Sequence, residues 1–249
     1  MMRETRALQA GMQSALHLVF PPQCILCSEP SVTDFGLCGP CWRETPFISG
    51  LVCDRCGMKL PGEDEGRIEY CDDCLTIARP WDRGRAALLY RDNGRKVVLA
   101  LKHGDRLDLA RPAGDWLLRA AQPILEPEML VAPVPLHWTR LFRRRFNQSA
   151  LLSKALARLA GREHCPDLLV RSRRTAKQDG RDRDARFSNL SAAIRVHPRH
   201  IARLHGRDVL LVDDVMTSGA TFAAAADACR AAGAQSVCVL ALARVAKDA

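Results

Sequence analysis

The chain has 249 residues, of which 47% are hydrophobic and 26% charged, and its formal net charge is +9 at pH 7. This length allows one medium domain plus a small module, and the composition is that of an ordinary globular protein. No stretch approaches the ~20 uninterrupted apolar residues of a transmembrane helix, so we expect no membrane span. The positive charge favours anionic partners, either phosphorylated metabolites or nucleic acid.

The first predicted segment, residues 1–22, is an amphipathic helix. Its apolar residues recur at helical spacing and stop at Pro21 and Pro22. Such a helix either packs on its own protein or binds a partner. The segment lacks the long apolar run of a signal peptide, so we expect a cytoplasmic protein.

The second predicted segment, residues 23–79, contains eight of the eleven cysteines, all in Cys-x-x-Cys pairs. Two residues between thiolates let both sulfurs bind one tetrahedral zinc ion at ~2.3 Å, and two pairs complete a closed site. Four pairs therefore predict two structural zinc sites in a double zinc ribbon. The predicted ligands are Cys24, Cys27, Cys38, Cys41, Cys53, Cys56, Cys71 and Cys74.

Disulfide bonds and redox-active pairs are the alternatives to zinc. Disulfides need an oxidising compartment, and a redox pair would normally occur once. The pairing of the knuckles stays open, since consecutive ribbons and an interleaved cross-brace use the same residues. In either arrangement, zinc would supply much of the folding energy of so small a module. Cys165, Cys229 and Cys238 receive no role.

The third predicted segment, residues 80–249, alternates strands with helices, which is typical of a parallel sheet. Asn147 is a plausible N-cap, and Gly161 follows the end of the helix that Asn147 begins. Strands are predicted over 85–90, 130–135, 168–170, 192–196, 209–212 and 236–243. Helices are predicted over 95–101, in part of 107–121, and over 148–160 and 222–232.

Two basic loops interrupt this pattern. The first, residues 136–146, has four arginines within six residues, and a planar guanidinium binds phosphate oxygens in pairs. A solvated basic patch or a nucleic-acid contact would have the same composition. The second loop, residues 171–189, is long, charged and almost free of apolar residues, so it is a mobile lid, a binding loop or a disordered segment.

The stretch 208–221 carries the most specific signal. A buried strand ends in Asp213 and Asp214, and a turn of small and hydroxylated residues then opens an alanine-rich helix. The N-terminus of a helix suits a phosphate monoester, and two carboxylates suit ribose hydroxyls or a magnesium ion. The alternative is an ordinary strand-turn-helix whose acids face solvent.

This stretch resembles the phosphoribosyl-pyrophosphate (PRPP) motif of type I phosphoribosyltransferases. The resemblance implies that Asp213 and Asp214 hold the ribose hydroxyls and act in catalysis, with Mg²⁺ bound alongside PRPP. It also implies that the following turn holds the 5-phosphate. The turn residues assigned to PRPP binding are Met216, Thr217, Ser218, Gly219, Ala220 and Thr221.

The resemblance also gives the loops a role. Arginines of the first loop would contact the pyrophosphate, with Arg143, Arg144 and Arg145 as candidates. Lys102 and His103 are similar to a lysine-glycine element of orotate phosphoribosyltransferase and are further candidates. The long loop would close over the reacting centre and exclude water.

Nearly the whole chain resembles the ComF family of competence-associated proteins. The matching features are the double four-cysteine ribbon, the 133–137 and 145–148 segments, the long loop and the PRPP motif. The resemblance implies an α/β fold. Its body would be a type I phosphoribosyltransferase-like parallel sheet flanked by helices, with a small N-terminal zinc-ribbon module.

Two functions follow as hypotheses. The first is transfer of a 5-phosphoribosyl group from PRPP, or from another phosphorylated ribose, to an unknown acceptor, with release of pyrophosphate. The second is non-enzymatic handling of single-stranded DNA during uptake, together with DNA-uptake proteins, by a chain that keeps the PRPP-type site. Aromatic residues make up only 5% of the chain, which counts against tight base stacking.

Overall fold

The structure is a computed structural model. It describes residues 20–102, 106–136, 146–171 and 193–246 in full, together with the main chain of His103. The chain divides into two compact units at the bond between Thr45 and Pro46. The domain boundaries anticipated after residues 22 and 79 stay predictions.

Several predicted features lie outside the described residues. They are nearly all of the N-terminal helix, the arginines of the first basic loop, and all of the second loop except Arg171. Within the described ranges, no helix is both long enough and apolar enough to cross a bilayer.

In the first unit, the described part is a small cysteine-rich module. A turn closes on the first knuckle, where the amide of Cys24 donates to the carbonyl of Glu29 at 2.7 Å. The second knuckle leads into the short helix α1, Gly39–Glu44, which has a proline in its first turn. The hydroxyl of Thr45 donates to the carbonyl of Cys41 at 2.7 Å and fixes the end of this helix.

The second unit begins with the other cysteine-rich module and continues into a four-stranded sheet. The module contains the short helix α2, Asp72–Thr76. Its strands are β1 Arg83–Leu89, β2 Leu130–Pro133, β5 Asp208–Met216 and β6 Ser236–Arg244. They lie in the order β1-β6-β5-β2, and every neighbouring pair is parallel.

Helices flank this sheet, so the predicted α/β class with its parallel sheet is confirmed. The helices are α3 Asp92–His103, α4 Ala110–Ala121, α5 Gln148–Ala160, α6 Ile201–Leu204 and α7 Ala220–Ala231. Single 3₁₀ turns span Leu107–Leu109, Gln122–Ile124 and Pro198–His200. The predicted caps of α5 are also confirmed. The Asn147 side chain accepts from the amide of Ser149, and Gly161 takes the left-handed conformation with φ 63°.

One expectation was wrong. The strands β3, Leu169–Arg171, and β4, Ile194–Val196, were expected to extend the parallel sheet, but they pair antiparallel with each other in a separate two-stranded sheet. Because each strand has only three residues, main-chain hydrogen bonds contribute little to placing it in a larger sheet. Apolar side chains hold the pair beside α7, over the main core.

The central strands are buried on both faces, as expected for parallel strands. Val209 and Leu211, alternate residues on β5, belong to one apolar core with Phe222 of α7. Cys53 and Cys56 of the second cysteine set are part of the same core and are 0% exposed. The second cysteine-rich module is therefore continuous with the core of the sheet.

Candidate functional site

The acid pair lies at the carboxyl end of the central strand β5. The predicted strand ended at the acid pair, but β5 continues to Met216 because Asp213, Val215 and Met216 keep their pairing with β6. Asp213 aligns with Ala241 of β6 in this register. In open parallel sheets, ligands bind at this edge.

Asp213 is held in one orientation by two hydrogen bonds. The Ser149 hydroxyl donates to its Oδ1 at 2.7 Å, and the amide of Asp214 donates to the same oxygen at 2.8 Å. Withdrawal from bulk water raises the pKa of Asp213 to about 7, and the negative charge of Asp214 adds to the effect. The bond from Ser149 acts in the opposite direction and favours the carboxylate.

Asp214 is paired with a cation. Its Oδ1 lies 3.0 Å from the Nζ of Lys102, in the last turn of α3, and the two side chains are 12% and 19% exposed. Sequence reasoning selected Lys102 as a candidate near this site. His103 was also selected, but its side chain lies outside the described atoms.

The turn after β5 leads into the twelve-residue helix α7. Gly219 is its N-cap, with φ 82°, a conformation that side chains with a Cβ adopt only at a cost. A Cβ at this position would also lie 3.0 Å from Trp81 and 3.2 Å from the guanidinium of Arg79. The first amides of a helix have no intrahelical acceptor, so this turn presents donors to an anion.

A cavity of about 300 Å³ joins the acids to the turn. Of the predicted PRPP-binding residues, it is lined by Asp213, Asp214, Thr217 and Thr221. Other predicted side chains are turned inward: Met216 is 1% exposed and Ala220 5%. Those two residues can offer a ligand their main chain alone.

Other residues also line the cavity. Sequence reasoning missed Tyr90, and it selected Arg171 and the segment 134–136 only within longer stretches that resemble the ComF family. Asn147 fixes that segment, because its side-chain amide donates to the carbonyl of Val134 at 3.2 Å while its oxygen caps α5. Asn147, which lies in the segment 145–148 that resembles the ComF family, therefore helps to shape the wall of the cavity.

The cysteines converge as two separate four-sulfur sets. The sulfurs within each set lie within 4.8 Å of one another. Cys27 and Cys38 sulfurs are 3.5 Å apart, and those of Cys56 and Cys71 are 3.6 Å apart. A tetrahedral site with Zn–S bonds of ~2.3 Å has edges of about 3.8 Å, so both sets fit zinc. The sets are consecutive in sequence, Cys24/Cys27/Cys38/Cys41 and Cys53/Cys56/Cys71/Cys74, as two successive ribbons require.

The thiol chemistry of the second set also fits a cation. The pKa of Cys53 is lowered well below its usual range, chiefly because the Cys56 thiol donates a hydrogen bond to its sulfur. The pKa of Cys56 is raised, chiefly because the same bond holds it protonated. Four such closely spaced sulfurs are thiolates together only when a metal ion supplies positive charge between them.

Known proteins match the chain over nearly its full length. A family model described as a double zinc ribbon domain matches residues 15–75. The DNA utilization protein YhgH of Escherichia coli K12 is 32% identical over 234 residues, which cover 91% of this chain and 99% of that protein. Competence protein F of Haemophilus influenzae is 27% identical over 228 residues, which cover 89% and 96%. The chain belongs to the ComF family.

Solved structures resemble the ComF-family chain more distantly. Glutamine PRPP amidotransferase from B. subtilis is 17% identical, with a TM-score of 0.40, over 58% of this chain and 30% of that one. Hypoxanthine phosphoribosyltransferase from Trypanosoma cruzi is 15% identical, with a TM-score of 0.34, over 56% and 74%. Similarity at this level carries no functional weight.

Proposed function

We propose that this ComF-family protein binds PRPP, or another 5-phosphorylated ribose, together with Mg²⁺ at the carboxyl edge of its sheet. We further propose that it transfers the 5-phosphoribosyl group to an acceptor and releases pyrophosphate. One observation supports this above all: Asp213, Asp214 and the turn before α7 open onto one cavity. That cavity offers acceptors for sugar hydroxyls and donors for a phosphate.

The acid pair suits the ribose. Carboxylates accept hydrogen bonds from two adjacent hydroxyls, and such charge-assisted bonds are stronger than neutral ones. Asp213 keeps a fixed orientation because Ser149 and the amide of Asp214 hold one of its oxygens. A side chain fixed before the ligand arrives loses little entropy on binding.

The turn suits the 5-phosphate. Gly219 lets the main chain turn sharply into α7, and Thr217 and Thr221 add hydroxyls at the cavity. The dipole of a twelve-residue helix stabilises a negative charge at its N-terminus. Donors and dipole therefore act on the same group.

The transfer itself breaks the bond from the ribose C1 to a pyrophosphate oxygen, and pyrophosphate leaves with the electron pair. A bond from C1 to the acceptor forms, and the acceptor loses a proton. The negative acid pair stabilises the positive charge that develops on the sugar. Lys102 supplies a positive charge next to Asp214. Mg²⁺ bound with PRPP would neutralise the charge of the departing pyrophosphate.

Handling of single-stranded DNA is the second candidate, and the names of the relatives favour it, since they describe DNA utilization and competence. The acidic charge of the second ribbon disfavours a DNA contact along that ribbon. Residues 63–73 carry six acidic side chains and one basic one, which would repel a phosphate backbone. A DNA contact would therefore use the arginine-rich loops.

Calorimetry with Mg²⁺ and PRPP tests the binding site. We expect the wild-type chain to bind and Asp213→Asn/Asp214→Asn to lose about a hundredfold or more in affinity, since two charge-assisted bonds are lost. Asp208→Asn is the matched control, an acid at the opposite end of β5 whose partner is Ser236. Equal affinity in the double variant would remove the site assignment.

Two further measurements separate the candidate functions. Pyrophosphate release is followed across a panel of bases and amines, and single-stranded DNA binding is measured at several salt concentrations. Turnover with any acceptor that disappears in the double variant supports the transferase. Salt-sensitive DNA binding that PRPP does not alter, without turnover, supports the second candidate.

A further inference from the structure

The second zinc set packs directly against the strand that borders the sheet. The knuckle between Cys53 and Cys56 contains Asp54, which is 7% exposed. Its carboxylate accepts hydrogen bonds from Arg83 and Arg85 of β1, with the shortest at 2.7 Å. Main chains also meet here, since the amide of Gly84 donates to the carbonyl of Asp54 at 2.9 Å.

From this knuckle, contacts lead through Trp81 to the turn of residues 217–221, the phosphate turn. The indole of Trp81 donates to the carbonyl of Arg55 at 2.6 Å, and the Arg55 guanidinium donates back to the Trp81 carbonyl at 2.9 Å. The Trp81 ring is fully buried and lies under Gly219 of the turn. It also meets Phe222 of α7 edge to face, with ring centroids 6.3 Å apart.

Arg79, which follows the last cysteine of the ribbon by five residues, completes this contact. Its guanidinium lies 5.5 Å from the centre of the Trp81 ring and donates to the carbonyl of Ser218 at 2.7 Å. The side chain is 9% exposed, so this hydrogen bond is made away from bulk water. The carbonyl of the residue before Gly219 is thereby fixed by an arginine that directly follows the second ribbon.

Arg244 at the end of β6 also holds the start of the phosphate turn. Its guanidinium donates to the carbonyl of Met216 at 3.1 Å and also to that of Thr217. The side chain is 4% exposed.

The bound metal would hold the knuckle from which the contacts through Trp81 start. Four thiolates around Zn²⁺ carry a net charge of −2, and a buried negative site stabilises buried cations nearby. Loss of the metal would remove the charge and release the knuckle that orients Trp81.

We propose that the second zinc site positions the phosphate turn through Arg79 and Trp81. Zinc at this site and a sugar phosphate in the cavity then strengthen each other's binding. Arg79 is a positioning residue, since it acts on the turn through a main-chain carbonyl. The inference rests on the proposed function only for the identity of the ligand.

Zinc affinity tests the coupling, with ribose 5-phosphate as the probe because the pyrophosphate of PRPP would itself bind zinc. The full-length Cys27→Ser chain, in which the first site lacks a ligand, is titrated with a chromophoric chelator with and without saturating ribose 5-phosphate. We expect zinc at the second site to bind about fivefold tighter with the ligand, because coupling between two sites is reciprocal. Adding Asp213→Asn/Asp214→Asn should abolish the difference.

Arg79→Ala should weaken ribose 5-phosphate binding about tenfold, the loss of one charge-assisted hydrogen bond. It should also speed hydrogen exchange of amides in 217–223, while those of the ribbon knuckles keep their rates. Arg79→Lys keeps the positive charge but lacks the planar guanidinium group. It replaces the alanine variant in this test if that variant folds poorly. Arg230→Ala is the matched control, since Arg230 contacts the same linker at Pro80 and Asp82 but not the turn.

The outcomes separate the two proposals. If the wild-type chain binds ribose 5-phosphate, but zinc affinity is unchanged and Arg79→Ala behaves like Arg230→Ala, the coupling is wrong and the proposed function stands. If the wild-type chain does not bind the sugar phosphate, yet Arg79→Ala alone speeds exchange in the turn, the positioning role stands and the proposed function fails.

Discussion

The two zinc ribbons have the same ligand spacing but different surroundings. The knuckle of the first ribbon holds Ile25 and Leu26 between its cysteines, whereas the corresponding knuckle of the second holds Asp54 and Arg55. In the first ribbon Cys27 is exposed, and the unit that contains it ends at Thr45. In the second, two ligands belong to the main apolar core.

This difference indicates that the residues between the zinc ligands decide which parts of the protein a knuckle contacts. The charged pair Asp54 and Arg55 gives the second knuckle hydrogen bonds to β1 and to Trp81. The metal there stabilises a junction that ends at the candidate site. The first ribbon stabilises a small module of its own.

The largest expected effect comes from removing one ligand of each site. Structural zinc contributes about 10–16 kcal/mol in zinc-finger peptides, so Cys56→Ser should abolish the cooperative unfolding of the unit that begins at Pro46. Cys27→Ser should lose one zinc per chain and keep that transition. Metal analysis and scanning calorimetry measure both. Equal loss of the main transition in the two variants would erase the contrast between the ribbons.

Asp54→Asn should lower the free energy of unfolding by about 3–5 kcal/mol, because removing this buried carboxylate leaves Arg83 and Arg85 without their charged partner. Glu65→Gln is the control in the same ribbon, since its pair with Arg67 is exposed and should contribute below ~1 kcal/mol. Urea unfolding compares the two. Similar costs in both variants would contradict a buried junction.

Asp54 also predicts a pH dependence. Burial alone would raise its pKa, but hydrogen bonds from Arg83 and then Arg85 outweigh burial and lower it. A lowered pKa in the folded state means that the stabilisation is complete above the unfolded value of about 4 and is lost as the pH falls further. The wild-type stability should therefore approach that of Asp54→Asn in acid. A constant difference down to pH 3 would contradict the assignment.

A smaller effect is expected from filling the space between the second ribbon and β1. Gly84→Ala places a Cβ 2.5 Å from the carbonyl oxygen of Arg55, so the ribbon must shift, at a cost of about 1–3 kcal/mol. In the first ribbon, a Cβ at Gly39 meets nothing within 4 Å, and Gly39→Ala should change stability by less than about 0.5 kcal/mol. Thermal unfolding of both variants measures the difference, and a neutral Gly84→Ala would show that the contact is loose.

The smallest expected effect lies in the cavity. Because the pKa of Asp213 is raised to about 7, ribose 5-phosphate affinity should rise up to about tenfold from pH 6 to pH 8 as the carboxylate forms. Ser149→Ala removes a hydrogen bond that lowers this pKa, so its midpoint should move to higher pH. Titration of both chains at several pH values separates Asp213 from the phosphate, whose own ionisation is common to both. An unchanged midpoint would contradict the role of Ser149.

Local patterns predicted much of the fold. The caps of α5, the apolar runs of β5 and β6, and the spacing of the cysteines each depend on residues close in sequence. The antiparallel pairing of β3 with β4 was missed because a short apolar run does not specify its partner. The β5 strand was predicted too short, since polar residues at its end remain paired with β6.

The site was predictable only in part, for the same reason. Asp213, Asp214 and the turn lie on one continuous stretch with a recognisable pattern. Arg79 meets Ser218 across 139 residues, and no local pattern marks that contact. Ser149 likewise reaches Asp213 across 64 residues.

A crystal structure with Mg²⁺ and PRPP would show where the ligand binds. We expect the ribose hydroxyls on Asp213 and Asp214 and the 5-phosphate against the amides of the turn, with Gly219 at its apex. Well-ordered PRPP elsewhere on the chain, with this cavity closed, would rule out the proposed site.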